Sequence, residues 1–170
     1  MPTYSKNELS VLASKYGFQR DTFEKVLRLT KVLEYFQQDQ LLREYLVLKG
    51  GTAINLTVFS LPRLSVDIDM DYIPNDNRET MLSSRERITS AIRDYMEDEG
   101  YQLATDSRFS HSLDAFHFQY QNAGGNRDMI KIEINYSLRA HVLELENRPI
   151  LTDAFGGVSE FKTVHAIEIF

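Results

Sequence analysis

The sequence of 170 residues contains no cysteine and no long run of apolar residues. Without cysteine, the chain forms no disulfide, no thiolate metal site and no cysteine nucleophile. A helix that spans a bilayer needs about 20 largely apolar residues, and the sequence has no such segment. Residues 1–6 also lack the apolar core of a signal peptide. We therefore expect a cytoplasmic protein that does not enter a membrane.

The chain also lacks an excess of basic residues, with a formal net charge of −6 and a sequence pI of about 5.2. Proteins that bind nucleic acid non-specifically usually carry a basic surface, so this class is disfavoured, although a local basic patch stays open. The four histidines show no metal-ligand spacing. Neither a Gly-x-Ser-x-Gly nucleophile elbow nor a Gly-x-x-x-x-Gly-Lys phosphate loop occurs.

Hydrophobic periodicity predicts helices first and strands later. Helices are expected over about 5–16, 21–36, 52–59 and 78–99. The second is expected to begin with Asp21 as its N-cap, with Glu24 three residues later. Strands are expected over 46–48, 65–72, 101–106, 115–120, 129–137, 142–145 and 157–164, and a further helix begins near 164. This order predicts an α+β fold, a mixed β-sheet flanked by helices. We expect one domain, with N-terminal helices over about 5–42 and a core over about 46–165.

Asp67 and Asp69 are the first candidates for chemistry. Two positions apart on a strand, they share one face, with Cα atoms about 6.6 Å apart. Such carboxylates can bracket divalent cations, and Mg²⁺ commonly takes one or two carboxylates together with substrate phosphates. An exposed acidic strand face is the alternative, and the Asp-x-Asp string alone does not decide between the two.

The segment upstream favours the metal site. A short strand runs into Gly50-Gly51-Thr52, and a helix is expected to follow. Glycines let a phosphate approach the backbone closely, and a helix N-terminus offers free N–H groups to an anion. A tight strand-to-helix turn is the alternative for this string by itself. The two signals in this order predict a phosphate-binding turn followed by a metal-binding carboxylate pair.

Gly51-Thr52, fourteen residues and then Asp67-Ile68-Asp69 resemble the first motif of the DNA polymerase β nucleotidyltransferase superfamily, with a spacing just beyond that motif's upper limit. Two longer strings, Leu48-Lys49-Gly50-Gly51-Thr52-Ala53 and Arg63-Leu64-Ser65-Val66-Asp67-Ile68-Asp69-Met70, resemble one branch more closely. This branch is the AbiEii/AbiGii toxin family, the nucleotidyltransferase toxins of type IV toxin–antitoxin and abortive-infection systems. The resemblance is densest over 46–73, and the later string Lys131-Ile132-Glu133-Ile134-Asn135 also fits the family.

The resemblance implies an enzyme that transfers a nucleoside monophosphate from an NTP to a hydroxyl acceptor, with tRNA as one candidate and an antitoxin as partner. It implies Mg²⁺ or Mn²⁺ held by Asp67, Asp69 and a third carboxylate from a neighbouring strand. Glu133 is the best candidate for that carboxylate and Asp71 a weaker one, while a purely solvated role for Glu133 stays open. Nucleotide contacts are expected from Lys49, Gly50, Gly51, Thr52, Arg63 and Ser65, and a structural role stays open for Lys49, Arg63 and Ser65.

Members of the family usually continue, past the equivalent of Phe170, into a helix with an Ala-x-Lys pattern and a later Arg-Asp motif. This sequence ends at Phe170, where that helix would begin, so neither motif follows, and we expect an N-terminal fragment without the family's C-terminal helical part. An apolar face left exposed at the C-terminal end would favour self-association. The alternative to an enzyme is an inactive nucleotide- or protein-binding module on the same fold.

Overall fold

The computed structural model describes residues 4–51, 67–137, 141, 143–149, 160–165 and 168. The helices in these parts of the chain are α1 (Lys6–Lys15), α2 (Arg20–Gln38), α3 (Gln40–Tyr45) and α4 (Arg78–Asp98). The strands are β1 (Leu46–Lys49), β2 (Asp67–Tyr72), β3 (Gln102–Leu103), β4 (Arg108–Phe109), β5 (Leu113–Gln121), β6 (Arg127–Asn135), β7 (Glu146–Pro149) and β8 (Glu160–Thr163). Among the described helices, none is long and apolar enough to cross a membrane.

The strands form one mixed sheet in the order β3-β5-β6-β2-β1-β8-β7, and β4 also pairs with β5. At its centre, β2 runs antiparallel to β1 and parallel to β6. The long hairpin of β5 and β6 extends one side, and β8, parallel to β1, carries β7 on the other. A mixed sheet flanked by helices confirms the predicted α+β class.

One face of the sheet packs against α2 and α4 because the strands alternate as predicted. Every second residue of β2 and β6 is apolar and buried in the same cluster as the inner faces of the two helices. Tyr35 of α2 and Tyr95 of α4 stack with ring centroids 3.8 Å apart, which joins the helices to each other. The residues that β2 and β6 contribute to this core are Ile68, Met70, Tyr72, Ile130, Ile132 and Ile134. The polar positions of β2 and β6 therefore lie on the opposite face.

The predicted cap of α2 is wrong. The helix begins at Arg20 after Gln19, with no side-chain cap, and Asp21 lies inside its first turn. Glu24 does not reach back to the helix start, because its carboxylate is fully buried and accepts hydrogen bonds from Arg28 and from the backbone N–H of Ala123. A buried ion pair within α2, between residues four apart, takes the place of the cap that the sequence suggested.

The strands near the C-terminal end also differ from the prediction. Residues 143–145 are not in a strand, and Glu146–Pro149 forms β7 instead, since its pairing with β8 sets the register. The strand expected over 101–106 is reduced to β3. Val164, expected where a strand ends and a helix begins, donates its N–H to the carbonyl of Leu48 in β1. The helix expected over 52–59 lies outside the described residues.

Candidate active site

Three neighbouring strands bring charged residues into register. Lys49 of β1 pairs with Asp69 of β2, and Asp69 pairs with Glu133 of β6. One step further along, Asp67 lies opposite Lys131. Residues two apart on a strand share a face, so four side chains occupy adjoining positions on the face away from α2 and α4. We call Asp67, Asp69, Lys131 and Glu133 the charged patch.

The charged patch is electrostatically costly for Asp69. Burial raises the pKa of Asp69 above its usual value of 3.8, and repulsion from Glu133 and Asp67 raises it further. The ammonium groups of Lys131 and Lys49 oppose this shift only in part. A divalent cation bound among these carboxylates would offset both the cost of burying the Asp69 charge and its repulsion from Glu133 and Asp67.

Gly50 determines how closely the backbone approaches Asp69. It has a φ of 73°, in the left-handed region that favours glycine. A Cβ atom at this position would lie 2.6 Å from Oδ2 and 3.2 Å from Cβ of Asp69. Only the absence of a side chain at Gly50 lets the Asp69 carboxylate occupy its place at the end of β1. Gly51 follows directly and is exposed.

Lys131 is the functional candidate that the sequence analysis missed. Its Nζ lies 2.8 Å from Oε1 of Glu133, and this hydrogen bond is the largest cause of a raised pKa for Lys131. The signal was present in the sequence, because Lys131 and Glu133 sit two apart on one strand face. The alternation predicted that face correctly, but it did not reveal that Asp67 would lie across from the lysine.

The donor set fits a divalent cation in chemistry, since three carboxylates supply the hard oxygen ligands that Mg²⁺ or Mn²⁺ prefers. The side chains do not yet converge: among the residues that the structure describes, no group of three or more His, Asp or Glu side chains is arranged to hold a metal. Glu133 is instead turned to Lys131.

Lys49 lies beside Asp69 in register, but its ammonium contacts Asp71 at 2.5 Å. Asp71 is 1 % exposed, so this lysine neutralises a buried carboxylate two residues after Asp69, next to the charged patch. His141 lies on the other side of Asp71, with Nε2 3.9 Å from Oδ2. Both Asp71 and Glu133 have a lysine partner, but the Asp71 side chain is buried, whereas that of Glu133 is 28% exposed, which favours Glu133 as the third carboxylate of the site.

The other predicted nucleotide-binding residues, Thr52, Arg63 and Ser65, lie outside the described residues. The structure therefore brings together Asp67, Asp69 and Glu133, with Lys49, Gly50 and Gly51 at the adjoining end of β1. These six residues come from three segments, 49–51, 67–69 and 133, that are separated in the sequence.

Residues 32–170 match the family described as nucleotidyl transferase AbiEii toxin, type IV TA system. The chain belongs to the AbiEii toxin family. No curated protein matches it in sequence. Among solved structures it is similar to MenT4, a nucleotidyltransferase toxin from Mycobacterium tuberculosis H37Rv, with a TM-score of 0.62 and 15% identity over 95% of this chain and 56% of MenT4. It also matches JHP933 from Helicobacter pylori, with a TM-score of 0.49 and 21% identity over 84% of this chain and 51% of JHP933.

The likeness to MenT4 shows a shared fold. The chain spans about half the length of these solved structures. The AbiEii match covers both the turn at Gly50 and the strands that carry the charged patch. The family and the mixed sheet predicted from the sequence are therefore confirmed.

Proposed function

We propose that this AbiEii chain forms the metal-binding half of a nucleotidyltransferase that transfers a nucleoside monophosphate from an NTP to a hydroxyl acceptor. The observation that carries the proposal is the register of Asp69 with Glu133, with Asp67 two residues before Asp69 on the same strand. Three carboxylates on adjoining strand positions, next to a glycine turn, suit a cation that in turn binds the phosphates of an NTP.

Asp67, Asp69 and Glu133 would hold Mg²⁺ or Mn²⁺. When bound, the metal neutralises charge on the triphosphate and on the departing pyrophosphate. The exposed Gly51, which has no side chain, would let phosphate oxygens approach the backbone of the glycine turn. In the reaction, the acceptor hydroxyl loses its proton and bonds to the α-phosphorus, while the α–β anhydride bond breaks and pyrophosphate departs.

The acceptor that we propose is an RNA such as tRNA, and the setting is a cytoplasmic toxin restrained by a cognate antitoxin. Membership of a type IV toxin–antitoxin family supports this choice. The rival is a binding module without turnover. The described carboxylates, which do not converge into a group that could hold a metal, favour this rival.

A transfer assay separates the two functions. The chain is incubated with total tRNA, Mn²⁺ or Mg²⁺ and each NTP in turn, labelled at the α- or the γ-phosphate. Nucleotidyl transfer puts α-label, and no γ-label, into RNA. Asp69→Asn and Glu133→Gln should lower the transfer at least about 100-fold, since each removes a negative ligand.

The matched control is Glu97→Gln, which neutralises a half-exposed carboxylate on α4 and should leave the transfer unchanged. Label transfer that persists in Asp69→Asn would contradict the site assignment. Binding of an NTP without transfer to tRNA or protein would favour the binding module.

A further inference from the structure

The ion pair between Lys131 and Glu133 is easier to separate than the pair between Lys49 and Asp71, which also lies beside the candidate site. Both side chains are about one-third exposed, at 31% and 28%. By contrast, the partner of Lys49 is Asp71, whose side chain is 1% exposed. A pair with both members at the surface separates at low cost, whereas separating a buried pair leaves an uncompensated charge.

Within the charged patch, Lys131 is positioned to interact with all three carboxylates. It pairs in register with Asp67, contacts Glu133 at 2.8 Å, and is close enough to Asp69 to interact with that carboxylate as well. One ammonium therefore faces all three carboxylates that are candidates for metal binding. A divalent cation at the same carboxylates would meet a like charge only a few ångströms away.

The conformation of Glu133 fits this arrangement. Its carboxylate is bound to Lys131, and the described acidic side chains do not converge into a metal-holding group. Glu133 can supply a ligand from its carboxylate only by loosening this contact. The Lys131 ammonium thus supplies positive charge at the carboxylates that a divalent cation would bind.

We propose that Lys131 is a built-in counter-ion of the metal site, a positioning residue whose ammonium holds Glu133 and is displaced from it when a divalent cation binds. This inference rests on the proposed function, since it takes Asp67, Asp69 and Glu133 as the metal ligands. It predicts that the lysine lowers the metal affinity and stabilises the metal-free protein, two effects of opposite sign that a simple ligand-supporting residue would not produce.

The test is Mn²⁺ binding to the full 170-residue chain, measured by electron paramagnetic resonance of free Mn²⁺, without any nucleotide. Lys131→Met, which keeps the apolar stem and removes the charge, should bind Mn²⁺ roughly tenfold more tightly than wild type. Lys131→Arg should stay within about twofold of wild type, because the charge is retained. Lys131→Gln takes the place of the methionine variant if that variant does not fold.

The control is Lys25→Met. Lys25 also pairs with an acidic residue of β6, Asp128, at 3.3 Å, but outside the charged patch. Its Mn²⁺ affinity should equal that of wild type. In EDTA, Lys131→Met should melt at a lower temperature than wild type, and Mn²⁺ should raise its melting temperature more than it raises that of wild type.

Equal or weaker Mn²⁺ binding by Lys131→Met, with wild-type binding abolished by Asp69→Asn, would overturn the counter-ion role and leave the proposed function intact. If wild type and all Lys131 variants bind no Mn²⁺, both the inference and the proposed metal site are contradicted. Tighter binding by Lys131→Met that Asp69→Asn removes supports both.

Discussion

Replacing Gly50 by alanine tests how the glycine turn positions Asp69. The new Cβ would lie 2.6 Å from Oδ2 of Asp69, a separation that forces the carboxylate to move. The backbone φ of 73° adds a second cost, because an L-residue in the left-handed region costs roughly 1–2 kcal/mol. Overpacking adds about 1–3 kcal/mol more, so we expect a loss of roughly 2–5 kcal/mol in the free energy of unfolding.

The chain offers two controls that separate these costs. Gly17 and Gly125 have φ values of 76° and 86°, and a Cβ at either one meets nothing within 4 Å. Gly17→Ala and Gly125→Ala should therefore lose only the conformational part, roughly 1–2 kcal/mol, and should melt about 2–8 °C lower than wild type. Neither position touches the charged patch.

The assays are urea unfolding and Mn²⁺ binding. Gly50→Ala should lose most of its Mn²⁺ affinity because Asp69 is displaced, whereas both control variants should bind Mn²⁺ as wild type does. If Gly50→Ala bound Mn²⁺ as tightly as Gly17→Ala and unfolded at the same urea concentration, the contact between Gly50 and Asp69 would have no functional weight, and the reasoning would be refuted.

Two further predictions concern charge. Glu24→Ala removes the carboxylate that binds the buried guanidinium of Arg28 and should lower the free energy of unfolding in urea by about 3–5 kcal/mol. Glu97→Ala, at an exposed pair, should lower it by less than about 1 kcal/mol. Equal losses in the two variants would contradict the stabilising role of the buried pair. The raised pKa of Asp69 means that the folded state binds this proton more tightly than the unfolded state. Its ionisation therefore destabilises the metal-free fold above the folded-state pKa, and this cost fades as the pH falls towards 3.8. Asp69→Asn should accordingly melt at a higher temperature than wild type at pH 7 in EDTA, and the advantage should vanish near pH 3.5; a lower melting temperature at pH 7 would contradict the repulsion.

The alternation of β2 and β6 was readable from the sequence, because a half-buried strand displays its period in the sequence itself. Ile68 and Ile132 marked the inner face, so Asp69 and Glu133 had to lie on the outer one. The parallel register that sets Asp69 opposite Glu133 was not readable, since it depends on how distant segments pair.

Charge pairing across strands was the part that the sequence could not predict. Asp71 looked like a continuation of the acidic face, yet it is buried and neutralised by Lys49. Glu24 looked like half of a capping box, yet it binds Arg28 in the core. The fold alone brings Lys49 near Asp71. Arg28, by contrast, lies one helical turn from Glu24, and what the sequence did not reveal is that this pair is buried and that Glu24 also accepts from the backbone of Ala123.

The most direct test of the proposed metal centre is anomalous diffraction from crystals of the chain grown with Mn²⁺ and a non-hydrolysable NTP analogue. We predict a manganese peak bound by Asp67, Asp69 and Glu133, with the Nζ of Lys131 moved away from Glu133. The nucleotide's phosphates should lie against the turn at Gly50. A manganese peak at other residues, or a nucleotide bound with these three carboxylates uninvolved, would contradict the account.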